Sequence, residues 1–95
     1  MRLEWSRRSL RELAAIEAYI AERSPAAAHR VLISIVESAE HLRTFPHMGR
    51  RSEQTSVRLL KVAAYPYIMP YRVRDDAVEI LAVLHTRMDR PEEWK

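Results

Sequence analysis

At 95 residues and 11.2 kDa the chain has room for one domain, spanning 1–95, built on one core. A hydrophobic share of 47% beside 31% charged residues excludes a disordered chain, and the lack of any cysteine excludes a disulfide framework, cysteine-ligated zinc, iron–sulfur clusters and thiol catalysis. The net charge of +3 is unevenly spread: residues 43–74 hold seven bases against Glu53, net +6, whereas 1–42 sum to zero and 75–95 to −3.

The chain opens with Met1-Arg2-Leu3-Glu4-Trp5, which places an acid where a signal peptide would begin its apolar stretch. No apolar run approaches the ~20 residues of a membrane span. The expectation is a cytoplasmic protein with no membrane partner, and Arg2 to Trp5 read as a short first strand. Ser6 is placed to cap a helix, its hydroxyl accepting an orphan backbone N–H. Leu10, Leu13, Ile16 and Ile20 then recur at helical spacing and predict one buried face. Ser24-Pro25 ends this helix and starts a second, because Pro25 at the first helical position has no N–H to lose. Ala28, Val31, Leu32, Ile35, Ala39 and Leu42 form its apolar stripe, and Ile33 and Val36 broaden it. A connection this short makes the two helices an antiparallel hairpin.

Phe45-Pro46-His47-Met48-Gly49 ends the helical half. Gly49 is the sole glycine of the chain, and a positive φ is expected there. Residues 50–56 are polar and read as loop. Three strand-like segments follow: 57–62, 67–73 and 78–85, rich in β-branched and aromatic residues. Arg74-Asp75-Asp76-Ala77 is a hairpin turn between the last two. Pro70 cannot donate to a ladder and demands an edge or a bulge. The order strand, two helices, three strands predicts an α+β fold: an N-terminal helical hairpin packed on one face of a small, mostly antiparallel sheet.

Several side chains bear chemistry. Fourteen of the sixteen bases are arginine, which suits bidentate contacts to phosphate and carboxylate. Arg58 and Lys61 are three apart and fall on opposite faces of a regular strand. Arg72 shares a face with Ile68 and Pro70, and that face fits equally a basic surface and an ordinary solvent side. Tyr67, Met69, Tyr71 and Val73 share the other face, an alternation that reads as core rather than as a platform for stacking bases. Tyr65 lies just ahead of it. His85 ends the last strand, and Arg87 points to the same side if that strand continues. The pair offers proton exchange beside an anion-holding group. His29, His41 and His47 have no metal-ligand spacing, and one glycine cannot build a phosphate loop, so no metal and no cofactor are expected.

An ordered set of residues spans nearly the whole chain. Trp5-Ser6 leads to Leu13, Ile16 and Tyr19-Ile20-Ala21, then Pro25, Ala27-Ala28, Ile35 and Leu42. Pro46-His47-Met48-Gly49-Arg50, Arg58-Leu59-Leu60 and Tyr65-Pro66-Tyr67-Ile68 follow, and Tyr71-Arg72-Val73, Val78, Ile80-Leu81 and Val83-Leu84-His85 complete it. This pattern resembles the RelE/ParE superfamily of type II toxin–antitoxin toxins, above all in P-x-x-G-R followed by R-x-L and Y-P-Y. The resemblance implies a compact toxin neutralised by a small cognate antitoxin whose C-terminal segment wraps around it. It also implies that operator DNA is reached only through the antitoxin. An apolar groove beside Ile33 and Val36 is expected to take that antitoxin.

The superfamily has two main activities. RelE-like members cleave mRNA in the ribosomal A site, and ParE-like members poison DNA gyrase. With the chain aligned on Val73-Arg74-Asp75-Asp76-Ala77-Val78, the catalytic arginine of the RelE branch falls on Ile68. The tail Asp89-Arg90-Pro91-Glu92-Glu93-Trp94-Lys95 is acidic and has no tyrosine or histidine. Tyr65-Pro66-Tyr67 resembles the ParE branch. These departures imply gyrase inhibition by protein contact rather than enzyme chemistry, with Arg58, Arg72, His85 and Arg87 as target-binding residues. The alternative is a ribosome-dependent mRNA endonuclease. His85 then exchanges the proton, and Arg58, Lys61 or Arg87 holds the phosphate.

Overall fold

In the computed structural model, which describes residues 1–54 and 56–87, both helices begin where a hydroxyl is available to cap them. The Ser6 hydroxyl accepts from the Ser9 amide at 3.0 Å and starts α1, Arg7–Ala21. Ser24 does the same for the Ala27 amide and starts α2, Pro25–Glu40, with Pro25 in its first turn. A cap of this kind stabilises a helix by about 1 kcal/mol. A short 3₁₀ turn, His41–Arg43, continues α2 and buries Leu42.

The sheet has β1 (Arg2–Trp5), β2 (Arg50–Arg51), β3 (Arg58–Lys61), β4 (Tyr67–Arg74), β5 (Ala77–Ile80) and β6 (Leu84–His85). Its order is β1-β5-β4-β3-β2, and β6 follows β5 along the same side of β4. β1 pairs with β5 in parallel, and every other pairing is antiparallel. The α+β architecture of a helical hairpin on a mostly antiparallel sheet is therefore present.

The core follows the expected parity of β4. Tyr67, Met69, Tyr71 and Val73 meet Val31, Ile35, Ala39 and Leu42 beneath the helices. Burying a side chain such as Ile35, which has no exposed surface, contributes about 1.5–3 kcal/mol. Leu10 departs from its expected role and is 52% exposed. Its place on the buried face of α1 goes to Ser9, whose hydroxyl donates to the Ser6 carbonyl at 2.7 Å. Ile33 and Val36 also stand exposed, outside the buried stripe of α2. On the opposite face of the sheet a second apolar cluster gathers Val57, Leu59, Ile68, Leu81, Ala82 and Leu84. That face is thus neither simply basic nor simply solvent-facing.

Pro70 explains the break in the third predicted strand. Tyr71 pairs with Ile80 and Ile68 with Leu84, so two residues of β4 face three, Leu81 to Val83. This is a β-bulge, and it lies opposite the residue that has no N–H to offer. The Pro70 carbonyl still accepts from the Leu81 amide at 2.8 Å. Two further polar groups of the bulge are met from α1 and its cap. The Ser6 hydroxyl donates to the Leu81 carbonyl at 2.9 Å, and the Glu12 carboxylate accepts from the Val83 amide at 2.9 Å. The helix is thereby fastened to the irregular part of the sheet.

Two backbone expectations change. Residues 50–51 form a two-residue strand rather than loop, paired with Leu59 and Arg58. Gly49 does not have a positive φ; the positive values belong to Ala64, at 68°, and Asp75, at 51°. Asp75 opens the tight hairpin between β4 and β5, where an aspartate tolerates the left-handed region.

Candidate functional site: a fixed turn and a cationic cleft

The segment from Phe45 to Arg51 carries the P-x-x-G-R motif, and the reason for its glycine is close packing. A Cβ on Gly49 would lie 2.6 Å from the Tyr71 ring and 2.7 Å from its hydroxyl. Tyr71 is fully buried, and its hydroxyl bridges the turn. It donates to the Pro46 carbonyl at 2.8 Å and accepts from the Gly49 amide at 2.9 Å. Arg58 lies opposite Tyr71 in the β3–β4 register and completes the fastening. Its guanidinium donates to the Gly49 carbonyl at 2.9 Å and the His47 carbonyl at 3.3 Å. Burial pushes the Tyr71 phenol above its ordinary pKa, opposed by the Gly49 amide bond and the nearby Arg58 charge.

Beside the turn a cleft of about 470 Å³ opens. It is lined by Met48, Gly49, Arg50, Leu59, Leu60, Lys61, Ile68 and Thr86. Lys61 pairs with Ile68, and Ile68 with Leu84, so these residues share the face opposite the helices. The cleft presents two cations, one hydroxyl and an apolar floor. Among the described residues its lining holds no carboxylate, histidine or tyrosine. Two cations beside an apolar floor suit an anion, and Lys61 is the one described side chain of the lining of a type that serves as a general acid or base.

The four expected site residues do not converge. Arg58 is engaged by the turn. Arg72 lies across from Glu79 on the far face and pairs with it at 2.7 Å. His85 lies opposite Tyr67, on the helix side, with its ring edge-on to the tyrosine at 5.5 Å. The register partners of Arg58 and His85 on β4, Tyr71 and Tyr67, are four residues apart, or ~13 Å along a strand. Strand β6 stops at His85, so the shared orientation expected for Arg87 has no strand to carry it. Instead the Arg87 amide donates to His85 Nδ1 at 3.1 Å, and its side chain is exposed. The acidic tail from Asp89 to Lys95 lies outside the described residues.

His85 lines a second concavity, of about 280 Å³, with Glu12, Ala15, Ile16, Tyr19, Tyr67, Val83 and Leu84. Tyr19 is 75% exposed at its mouth. Burial, then the neighbouring Tyr19, raise the Tyr67 pKa above the ordinary value. Among the described residues no three His, Asp or Glu side chains gather to hold a metal ion, and no helix is long and apolar enough to cross a membrane. Two features escaped sequence reasoning: the phenol bridge of Tyr71 and the placing of Arg50 beside Lys61. The P-x-x-G-R spacing was a signal for the first. The second depends on residues 50–51 pairing with β3, which a polar sequence does not announce.

Comparison with known proteins adds a family context. The sequence pattern of the ParE toxin of type II toxin–antitoxin systems, parDE, matches residues 3–90. The chain is 42% identical to the candidate toxin Y4kP of Sinorhizobium fredii, over 96% of this chain and 94% of that one. It is 36% identical to Toxin RelE2 of Caulobacter vibrioides, over 85% and 90% of the two chains. Among solved structures it resembles a chain of the chromosomal ParDE system from P. aeruginosa, with TM-score 0.81 and 30% identity, over 92% of this chain and 97% of the other.

Proposed function

Because this chain belongs to the ParE toxin family of type II toxin–antitoxin systems, we propose that it inhibits DNA gyrase by protein contact and that a co-encoded antitoxin silences it. The observation that carries the reading is the separation of its chemistry. The cations of the cleft, Arg50 and Lys61, lie across the sheet from His85, the histidine of the second concavity. Ile68 occupies the cleft where the RelE branch has its arginine, and an isoleucine does not stabilise the charge of a phosphoryl transition state. A nuclease needs its phosphate-binding and proton-transferring groups around one reacting atom. A contact inhibitor does not.

On this reading the protein acts in the cytoplasm, where gyrase and ribosomes both reside. Operator DNA is reached through the antitoxin. Of the four expected contact residues, Arg87 is exposed and His85 is half-buried at the second concavity, whereas Arg58 and Arg72 are engaged by partners within the fold. The mRNA endonuclease reading draws on the RelE name of the Caulobacter relative. The test is direct: purified toxin is expected to reduce supercoiling by gyrase and to leave mRNA intact on stalled ribosomes. A-site cleavage with supercoiling untouched would assign it to the nuclease branch.

A further inference from the structure

Phe45 is 62% exposed and Met48 is 52% exposed, and one turn joins them, the Met48 amide donating to the Phe45 carbonyl at 3.2 Å. Single exposed apolar residues are ordinary on a protein surface. What distinguishes this pair is the support beneath it. Tyr71 and Arg58 together make four hydrogen bonds to the backbone of residues 46–49. None of those bonds involves the outward side chains. The turn therefore holds an aromatic and a thioether in place before any partner arrives, so binding orders little that is not already ordered.

The surroundings state the charge of that partner. Residues 43–51 contain Arg43, Arg50 and Arg51 and no acid. Arg43 faces only Glu40, at 3.8 Å, and Arg50 and Arg51 have no ion pair among the described residues. We propose that the Phe45–Arg51 turn is a docking surface for an acidic protein face, with Phe45 and Met48 entering an apolar pocket and the arginines meeting carboxylates around it. An aromatic side chain in a segment rich in arginine has the composition of an interface hot spot. A nucleic-acid strand fits less well. Met48 offers nothing to phosphate, and the Arg58 guanidinium is turned inward to carbonyls.

The proposal rests on the reading of this protein as a toxin that acts by contact, and it names the surface used. The test compares the full chain with Phe45→Ala/Met48→Ala and with Arg50→Glu/Arg51→Glu. These side chains lie outside the buried fastening, and co-purification with the co-encoded antitoxin checks folding. Growth inhibition is read at matched expression, and affinity for purified gyrase and for a single-stranded RNA oligonucleotide is read in vitro. Both variants are expected to bind antitoxin normally, to lose toxicity and to bind gyrase about tenfold or more weakly. The charge-reversed variant should also lose the salt dependence of binding. If the parent has no affinity for gyrase yet both variants lose toxicity, the gyrase reading fails and the docking surface stands. Unchanged toxicity in both variants overturns the proposal. So does loss of antitoxin binding alone, or Phe45-dependent binding to the RNA in place of protein.

Discussion

Replacing Tyr71 with phenylalanine removes one oxygen and leaves the buried ring in place. That oxygen serves two backbone groups, the Gly49 amide at 2.9 Å and the Pro46 carbonyl at 2.8 Å. Gly49 is buried, so its amide loses its partner with no water at hand, a penalty of about 1–3 kcal/mol. Pro46 is half-buried, and its carbonyl recovers part of its loss through solvent. The sum is about 2–3 kcal/mol, out of a total stability on the order of 5–15 kcal/mol. The variant should therefore fold, with a melting temperature lower by roughly 10–20 °C, at about 4–8 °C per kcal/mol for a domain of this size. Urea denaturation of the free toxin measures the change, and the slope should stay constant because the surface exposed on unfolding is the same. Amide exchange at Gly49 should accelerate more than exchange in α2. A loss below about 0.5 kcal/mol, within the range of an ordinary surface change, would refute the account of the phenol as the fastener of the turn.

Gly49→Ala attacks the same contact from the other side: a Cβ 2.6 Å from the Tyr71 ring forces a shift and should cost about 1–3 kcal/mol, measurable in the same urea experiment. Ala64→Gly should do the reverse, because φ is 68° there, and relief of the left-handed strain is expected to raise stability by up to about 1 kcal/mol. The tyrosines predict an alkaline limit. Tyr71 and Tyr67 have raised pKa values when folded, so their contribution is complete below the unfolded value of 10.0 and is lost as pH rises through the folded values. The urea midpoint should fall above about pH 10, and Tyr71→Phe should fall less steeply there; a midpoint that rises would contradict the sign.

Much of the fold was legible because it rests on local rules. Ser6 and Ser24-Pro25 announced both helix starts, and the alternation from Tyr67 to Val73 placed the core side of β4. Pro70 announced an edge or a bulge, without saying which or on which strand an extra residue would lie. The answer, Leu81 to Val83 on the neighbouring segment, depends on register, and register is fixed by packing at both ends of the strand. Leu10 misled because hydrophobicity and helical spacing do not reveal the exact angle at which a helix meets its sheet. A rotation that buries Ser9 is permitted only because its hydroxyl reaches the Ser6 carbonyl. Gly49 misled for a related reason. A glycine reports either an unusual φ or a close neighbour, and the neighbour here is 22 residues away in sequence.

The candidate site was less legible, because residue type gives chemistry and parity gives face, but neither gives occupation. Parity correctly separated Arg58 from Lys61. It did not show that Arg58 donates to two carbonyls or that Arg72 pairs with Glu79. Arginine has five donors in a planar fork, so it serves a backbone turn as readily as a phosphate. This bears on the motif itself. In P-x-x-G-R the proline supplies a carbonyl to Tyr71, and the glycine supplies space and an amide. R-x-L supplies the guanidinium that closes the turn. The residues that carried the resemblance thus build a platform, and a platform suits a nuclease and a contact inhibitor alike. What distinguishes the two must lie in groups the motif leaves free: Ile68 and Lys61 in the cleft, His85 across the sheet, and Phe45, Met48 and Arg50 on the turn. Substitutions in the platform should change stability and toxicity together. Substitutions on its outer surface should separate them, and that separation identifies the surface that meets the target.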